Sequence, residues 1–308
     1  VTINIKDIAA QGNLPKELSN EIFQRVSETS VIAKVAGKTD MTIQGNKFLI
    51  DSGKVEADIV EEGKPKPVSS FGLSYVEATP LKAAVIVDWT KEARLANPGG
   101  IMDRINDKLV EAINEQIDAA VLYGKSVKSK SQIPNLAYLN QATNRVELGT
   151  AAANAGGLSS DILAGYDLVT DAGKDFTGFI ADPRFRSQLI GAVDVNGRPV
   201  YQSSVNLNDQ MGSLFGLPVS YGKTVSGRYG IDNPDTNVRA FGGDFQNNLK
   251  FGFVEDINIK MTDSATVGGV SMFETNKEAA LVEAIFGFVI NDLDSFVAYE
   301  TAAPAGGE

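Results

Sequence analysis

The chain has no cysteine and no histidine among its 308 residues. Without a thiol it forms no disulfide, no thiolate metal site and no cysteine nucleophile, so its stability comes from packing. Without an imidazole it lacks the usual general base, the Ser-His-Asp triad and the commonest zinc or iron ligand. Basic residues are in deficit: 28 Lys and Arg stand against 39 Asp and Glu, a formal net charge of -11. Nucleic-acid binders gain affinity by neutralising phosphates, so tight DNA binding is not expected.

Long apolar runs are missing too. Residues 279–282 and 284–290 are separated by Glu283 and fall short of the roughly 20 residues a membrane helix needs, so no membrane span is expected. Residues 1–10 carry no basic stretch followed by an apolar one, and no signal peptide is expected. Nucleotide motifs are also absent. Gly222-Lys223-Thr224 lacks the earlier glycine of a phosphate loop, and neither Gly242-Gly243-Asp244 nor Gly156-Gly157 completes a dinucleotide fingerprint. Asp232-Asn233-Pro234-Asp235 lacks the spacing of a calcium loop. All four read as turns, and neither cofactor nor metal is expected. Carboxylate pairs alone can run glycoside hydrolysis, but 39 acidic residues form pairs by chance. The single tryptophan, Trp89, falls on the buried face of a strand, not in an aromatic cleft. A carboxylate-based hydrolase is therefore a remote alternative.

What is present is an ordinary globular composition, 43% hydrophobic and 22% charged, with length for one large domain or two smaller ones. Residues 1–40 read as a polar arm in which Leu14-Pro15, Glu17-Leu18, Ile22-Phe23 and Val26 suit a short amphipathic helix. Strand-like pieces at Met41 to Ile50, Val55 to Val60 and Phe71 to Val76 alternate with turn signals, including Gly63-Lys64-Pro65-Lys66-Pro67. They predict an extended β-hairpin. Its charges, Glu56, Asp58, Glu61, Glu62, Lys64 and Lys66, are too dense for a strand buried on both faces, which places it in solvent or on a neighbouring chain.

Leu81, Ala83, Val85, Val87 and Trp89 alternate with Lys82, Ala84, Ile86 and Asp88, the period of a half-buried strand. Asn97-Pro98 then supplies a cap and a first-turn proline, and a stripe through Ile105, Leu109, Ile113 and Ile117 predicts a helix of about 26 residues, near 39 Å long. Gly124 ends it. Asp103, Asp107, Glu111, Glu115 and Asp118 lie largely off the stripe, on an expected solvated face. Residues 126–157 read as a loop-rich connection. Ser159-Ser160-Asp161 is expected to cap a helix through Ala172, residues 176–181 form a strand, and Asp182-Pro183 opens a short helix to about Ile190. A strand from Leu249 to Met261 is interrupted at Glu255. Residues 281–290, apolar on both faces, suit a central covered strand. Helices and strands interleave without a regular βαβ repeat, so the fold class is α+β.

Several segments, in this order and spacing, resemble a known family. They are Leu14-Pro15-Lys16-Glu17, Glu61-Glu62-Gly63-Lys64-Pro65, the strand from Ala83 to Trp89, and the long helix ending at Leu122-Tyr123-Gly124. Phe179-Ile180-Ala181-Asp182-Pro183, Asp194-Val195-Asn196-Gly197-Arg198-Pro199, Leu214-Phe215-Gly216-Leu217-Pro218-Val219 and Ala240-Phe241-Gly242-Gly243-Asp244-Phe245 follow. Together they resemble the major capsid protein of tailed double-stranded DNA bacteriophages, the Hong Kong 97-type fold, over nearly the whole chain.

The resemblance implies an N-terminal arm over 1–40, an E-loop hairpin over 41–80, and a peripheral domain with a long spine helix over 81–156 and 271–291. An axial domain over 157–270 and 292–308 completes it. It further implies a non-enzymatic subunit forming hexamers and pentamers in an icosahedral virion shell that encloses DNA, is assembled in the host cytoplasm, and meets portal, scaffolding and decoration proteins. An acidic container benefits from not adhering to its contents.

In such a shell the charges Glu56, Asp58, Glu61, Glu62, Lys64 and Lys66 are candidates for intersubunit ion pairs. Some relatives weld the shell through an isopeptide bond from an E-loop lysine to a peripheral asparagine. The donor candidates here are Lys54, Lys64 and Lys66, but Lys277 to Val282, where the acceptor would fall, has no asparagine and Asn276 is merely nearby. Many relatives also carry an N-terminal scaffolding extension that is cleaved; this sequence starts at the arm, and the resemblance is compatible equally with prior cleavage and with a separate scaffolding protein. An encapsulin-like bacterial compartment, built on the same fold, is the alternative reading.

Overall fold

The structure, a computed structural model, describes residues 30–51, 56–61, 64, 66, 68, 72–96, 101–201, 211–229 and 234–302. The helix expected around residues 14–26, the Asn97-Pro98 cap and Asp232-Asn233 lie outside them.

A turn over 31–36 leads into β1 (Gly37–Lys38). Thr42 then donates its hydroxyl to the Gly45 carbonyl, and Gly45 takes φ +84°, a left-handed conformation that glycine adopts without steric cost. That tight turn is why β2 (Asn46–Asp51) starts later than the Met41 expected from periodicity. Its partner β3 (Leu73–Ala78) is displaced by two residues from the expected 71–76. The middle strand expected at 55–60 is not formed over its described residues, 56–60. These side chains are exposed or half-buried, with Ile59 99% exposed, so nothing there supplies the buried face that holds a strand in a sheet.

The next strand, β4 (Leu81–Thr90), follows its alternation: Ala83 and Trp89 are buried while Lys82, Ala84, Ile86 and Asp88 are exposed. A short helix, α1 (Lys91–Ala96), was not announced by periodicity. The spine is α2 (Ile101–Tyr123), 23 residues and about 35 Å long. Leu109, Ile113 and Ile117 are at most 2% exposed, each burial contributing about 1.5–3 kcal/mol. Gly124, with φ +63°, closes the helix: its N–H reaches the Ala120 carbonyl, the N–H of Lys125 reaches that of Ala119, and the Gln132 side-chain amide donates to that of Tyr123. One expectation on this helix fails. Asp118 is buried, because residues 117–124 are enclosed on every side and leave no solvated face there.

Beyond the spine the order is β5 (Asn144–Leu148), α3 (Gly157–Asp171), β6 (Gly178–Ala181), α4 (Pro183–Gly191), β7 (Met211–Leu214), β8 (Leu217–Tyr221) and β9 (Val238–Gly243). Then come β10 (Leu249–Thr262), β11 (Thr266–Val267), β12 (Val270–Ser271), β13 (Lys277–Ile290) and β14 (Phe296–Thr301). Strand β5 was missed within the loop-rich stretch. The expected Ser159-Ser160-Asp161 cap is also corrected, since α3 begins before it at Gly157. Asp161 instead lies buried within the helix and accepts from Gly149 N at 2.6 Å, Ala151 N at 3.1 Å and the Thr150 hydroxyl at 2.9 Å, fastening the preceding loop. Asp182 does cap α4, accepting from Arg184 N at 2.8 Å with Pro183 in the first turn.

Two main sheets result, ordered β1-β10-β13-β4 and β5-β14-β9-β6-β8-β7, with a ribbon β2-β3 and a small hairpin β11-β12. Strand β13 is central in the first, as its two apolar faces required, and β10 is bulged on both sides of Glu255. Pairing cuts across the expected domain division in two places. Strand β10, expected with 157–270, joins β13, and β5, expected with 81–156, lies parallel to β14. The last third of α2 packs between the two sheets, where Tyr123 donates its hydroxyl to the Val225 carbonyl at 2.5 Å. The architecture is mixed α and β, as expected.

Candidate functional site

The feature that stands out from the packed body is the β2-β3 ribbon. Its register sets Lys47 opposite Glu77, Phe48 opposite Val76, Leu49 opposite Tyr75 and Asp51 opposite Leu73. Because side chains alternate across a strand, these pairs sort onto two faces. Phe48 and Val76 pack on Met41, Ala78 and Val289 and so moor the ribbon to the four-stranded sheet. The other face is largely in solvent: Leu49 is 74% exposed, Tyr75 61% and Leu73 57%. Lys47 places its ammonium 4.9 Å from the centre of the Tyr75 ring. Beyond the strands, Ile59 and Val68 project with almost their whole surface in water. Apolar groups presented this way on an acidic protein make a candidate contact surface.

The predicted charges are distributed unevenly. Glu56, Asp58, Glu61, Lys64 and Lys66 are exposed or nearly so, while Glu62 and Lys54 lie outside the described residues. Asp58 accepts from the Ile59 N–H at 2.8 Å. Glu61 and Lys64 pair with one another at 2.9 Å within the chain. Exposed pairs of this kind contribute about 0–1 kcal/mol, so the apolar face outweighs the charges as a source of contact energy. Asn276 lies elsewhere, in the turn before β13, with its side-chain amide donating to Glu92 on α1.

Around that turn the ends of β4 and β13 are clamped by polar contacts. Trp89 Nε1 donates to Glu278 at 3.0 Å, Arg94 reaches the same carboxylate at 2.7 Å, and Lys277 pairs with Asp88 at 3.0 Å. The Lys277 hydrogen bond holds the Asp88 carboxyl below its usual value. A second network lies in the six-stranded half. Buried Asp182 accepts from Arg184 Nε at 3.0 Å, Ser226 Oγ at 2.5 Å and Arg228 at 3.1 Å, and Arg184 and Arg239 both pair with Asp235. Asp182 and Asp235 thereby join α4, the segment after β8, and β9. No group of three His, Cys, Asp or Glu side chains is placed to hold a metal among the described residues, nor is any described helix long and apolar enough to cross a membrane.

Sequence reasoning located the ribbon by its charges and missed the Leu49 and Tyr75 face. Phe48-Leu49-Ile50 is apolar throughout, so periodicity cannot say which face is outward. The usable signal was Lys47 and Glu77, two charges that share a face with Leu49 and Tyr75.

Residues 11–301 match the model of the phage capsid family. A curated relative, the probable major capsid protein gp17 of Mycobacterium phage D29, is 27% identical over 310 residues, covering 98% of this chain and 94% of the relative. Its counterpart in Mycobacterium phage L5 is 28% identical over 305 residues, covering 94% and 90%. A solved chain from Gordonia phage Cozz superposes with a TM-score of 0.78 at 29% identity, covering 90% of this chain and 87% of that one.

Proposed function

The chain belongs to the phage capsid family and is a major capsid protein, and from that premise we propose how it builds its shell. Copies assemble as hexamers and pentamers into a closed icosahedral virion shell around the double-stranded DNA genome, by contacts alone and without catalysis. The arm is 1–40, the E-loop 41–80, the peripheral domain 81–156 and 271–291 and the axial domain 157–270 and 292–308, with β10 and β5 exchanged between the last two by their pairing. Portal, scaffolding and decoration proteins are the partners such a shell takes, and assembly belongs in the host cytoplasm. A bacterial compartment is not favoured, since the match over 11–301 is to phage capsids.

The observation that carries this reading is the outward face of the β2-β3 ribbon. A ribbon moored by Phe48 and Val76 on one side and bare at Leu49, Tyr75 and Leu73 on the other is suited to lie on an adjacent copy. Burying those three side chains gives several kcal/mol per contact, and the exposed charges Glu56, Asp58, Glu61, Lys64 and Lys66 then serve at its edge, where charge selects register more than it adds affinity. Repetition over a closed shell makes weak contacts collectively strong. The test is electron microscopy of the full chain expressed alone and beside a scaffolding protein. Closed icosahedral particles are expected, and a monomer at every concentration overturns the reading. Denaturing mass spectrometry of the particles should return only the single-chain mass, because Lys277 to Val282 supplies no asparagine. Covalent multimers would instead make Asn276 the acceptor for Lys54, Lys64 or Lys66.

A further inference from the structure

Asp118 ties together three parts of the chain that are distant in sequence. It lies in the last third of α2 and is 3% exposed. Ser30 donates its hydroxyl to one carboxylate oxygen at 2.9 Å, and the main-chain N–H groups of Ile32 and Val31 reach the carboxylate at 3.4 and 3.5 Å. From the opposite side Thr224, in the turn after β8, donates its hydroxyl at 3.1 Å. The Ser30 oxygen also accepts from Ala33 N at 3.3 Å, so the same group organises the 31–36 turn. A cavity of about 430 Å³ is lined by Asp118 together with Val31, Lys34 and Thr224. The titratable groups facing that cavity are Asp107, Glu111 and Glu115 from α2, Lys34 from the turn, and Tyr221 and Lys223 from β8 and its exit.

The geometry points to an acid-tightened clasp, in which protonated Asp118 holds residues 31–36, the spine helix and the 223–226 turn together and ionised Asp118 lets the 31–36 segment lift more readily. The two hydroxyl partners are what make it workable. When the carboxyl gains a proton, Ser30 or Thr224 can turn from donor to acceptor, so the contact survives the change of charge. An ammonium or guanidinium partner has no lone pair and cannot do this.

The direction follows from burial. Desolvation pushes the Asp118 carboxyl up from 3.8 to about 6, against the opposing pull of the hydrogen bonds from Ser30 and Thr224. Burial likewise lowers the Lys34 ammonium, which Asp118 partly offsets. A lifted segment returns Asp118 to water and to its ordinary value, so the closed state binds the proton more tightly than the open one. Opening therefore becomes easier as pH rises from about 3.8 to about 6 and levels off above that, a change of about tenfold between pH 5 and pH 7. This inference requires only the folded chain and stands apart from the shell reading.

Hydrogen exchange with mass spectrometry on the full-length protein tests it. After correction for the intrinsic pH dependence of exchange, amides 31–36 should be about tenfold better protected at pH 5 than at pH 7. In Asp118→Asn, whose amide mimics the protonated acid, that difference should fall below twofold. Equal protection at both pH values in the wild type, or the same dependence in Asp118→Asn, overturns the clasp. Should Asp118→Asn not fold, Thr224→Val decides: losing a bond that favours the ionised form should move the transition to higher pH, and an unmoved transition overturns the clasp as well.

Discussion

Tyr299 on β14 lies directly across Gly165 on α3, its ring and hydroxyl filling the space a methyl group at 165 would need. The hydroxyl continues past the glycine to donate to the Ile162 carbonyl at 2.9 Å, and burial pushes the phenol well above its usual range. Helix propensity alone favours alanine over glycine by about 1 kcal/mol. Here overpacking outweighs it, and Gly165→Ala should destabilise the subunit by about 1–3 kcal/mol. Tyr299→Phe should cost about 1 kcal/mol through the lost hydrogen bond. Denaturant midpoints of the dissociated subunit measure both, and a stabilised Gly165→Ala would contradict the contact.

Leu49→Asp combined with Tyr75→Asp separates folding from assembly. Both side chains are exposed in the single chain, so the cost to its own stability should stay at about 1 kcal/mol, set by two carboxylates facing each other where Leu49 opposes Tyr75 and by the lost Lys47 contact. Placed against a neighbour, two carboxylates would instead have to be desolvated, and closed particles should be lost. Sedimentation reads assembly and thermal melting reads the fold. Particles of wild-type yield would mean that the outer face of the ribbon stays in solvent.

The carboxylates give pH effects of opposite sign. Burial pushes Asp235 up, but the hydrogen bonds from Arg184 and Arg239 outweigh it and hold the carboxyl at about 2. A value below that of the unfolded chain means stabilisation that is complete above about pH 4 and is lost as pH falls toward 2. Asp235→Asn should therefore be about 1–2 kcal/mol less stable at pH 7, allowing for solvent screening of a side chain that is 28% exposed. The deficit should close near pH 2. Melting curves from pH 2 to 7 test this, and a deficit that persists undiminished at pH 2 would rule out the Arg184 and Arg239 pairing as its source.

How far the sequence could be read depended on the range of each cause. Strand β4, the stripe of α2, the Asp182-Pro183 helix start and the bulge at Glu255 all follow from neighbours within a few residues, and all were legible. The ribbon was legible as a charged hairpin but not in its register, because Thr42 to Gly45 form a turn that the apolar pattern around Met41 hides. Asp118 misled because its helix phase alone points to solvent. The run Ile117 to Tyr123, with Asp118 its one charge, was the hint that this end of the helix is enclosed on all sides.

By itself the sequence determined the class of the molecule: with strand and helix periods in this order, it specifies a packed mixed-α/β subunit that has neither a thiol nor an imidazole. Those properties depend on composition and on local periodicity, and neither changes when the chain folds. Only the tertiary structure decided that β10 joins β13 and that β5 joins β14, and that Leu49 and Tyr75 face outward. It alone decided that Asp118 meets Ser30 across 88 residues and Thr224 across 106. Each of these requires a partner far along the chain, and a local pattern carries no record of which distant segment will supply it.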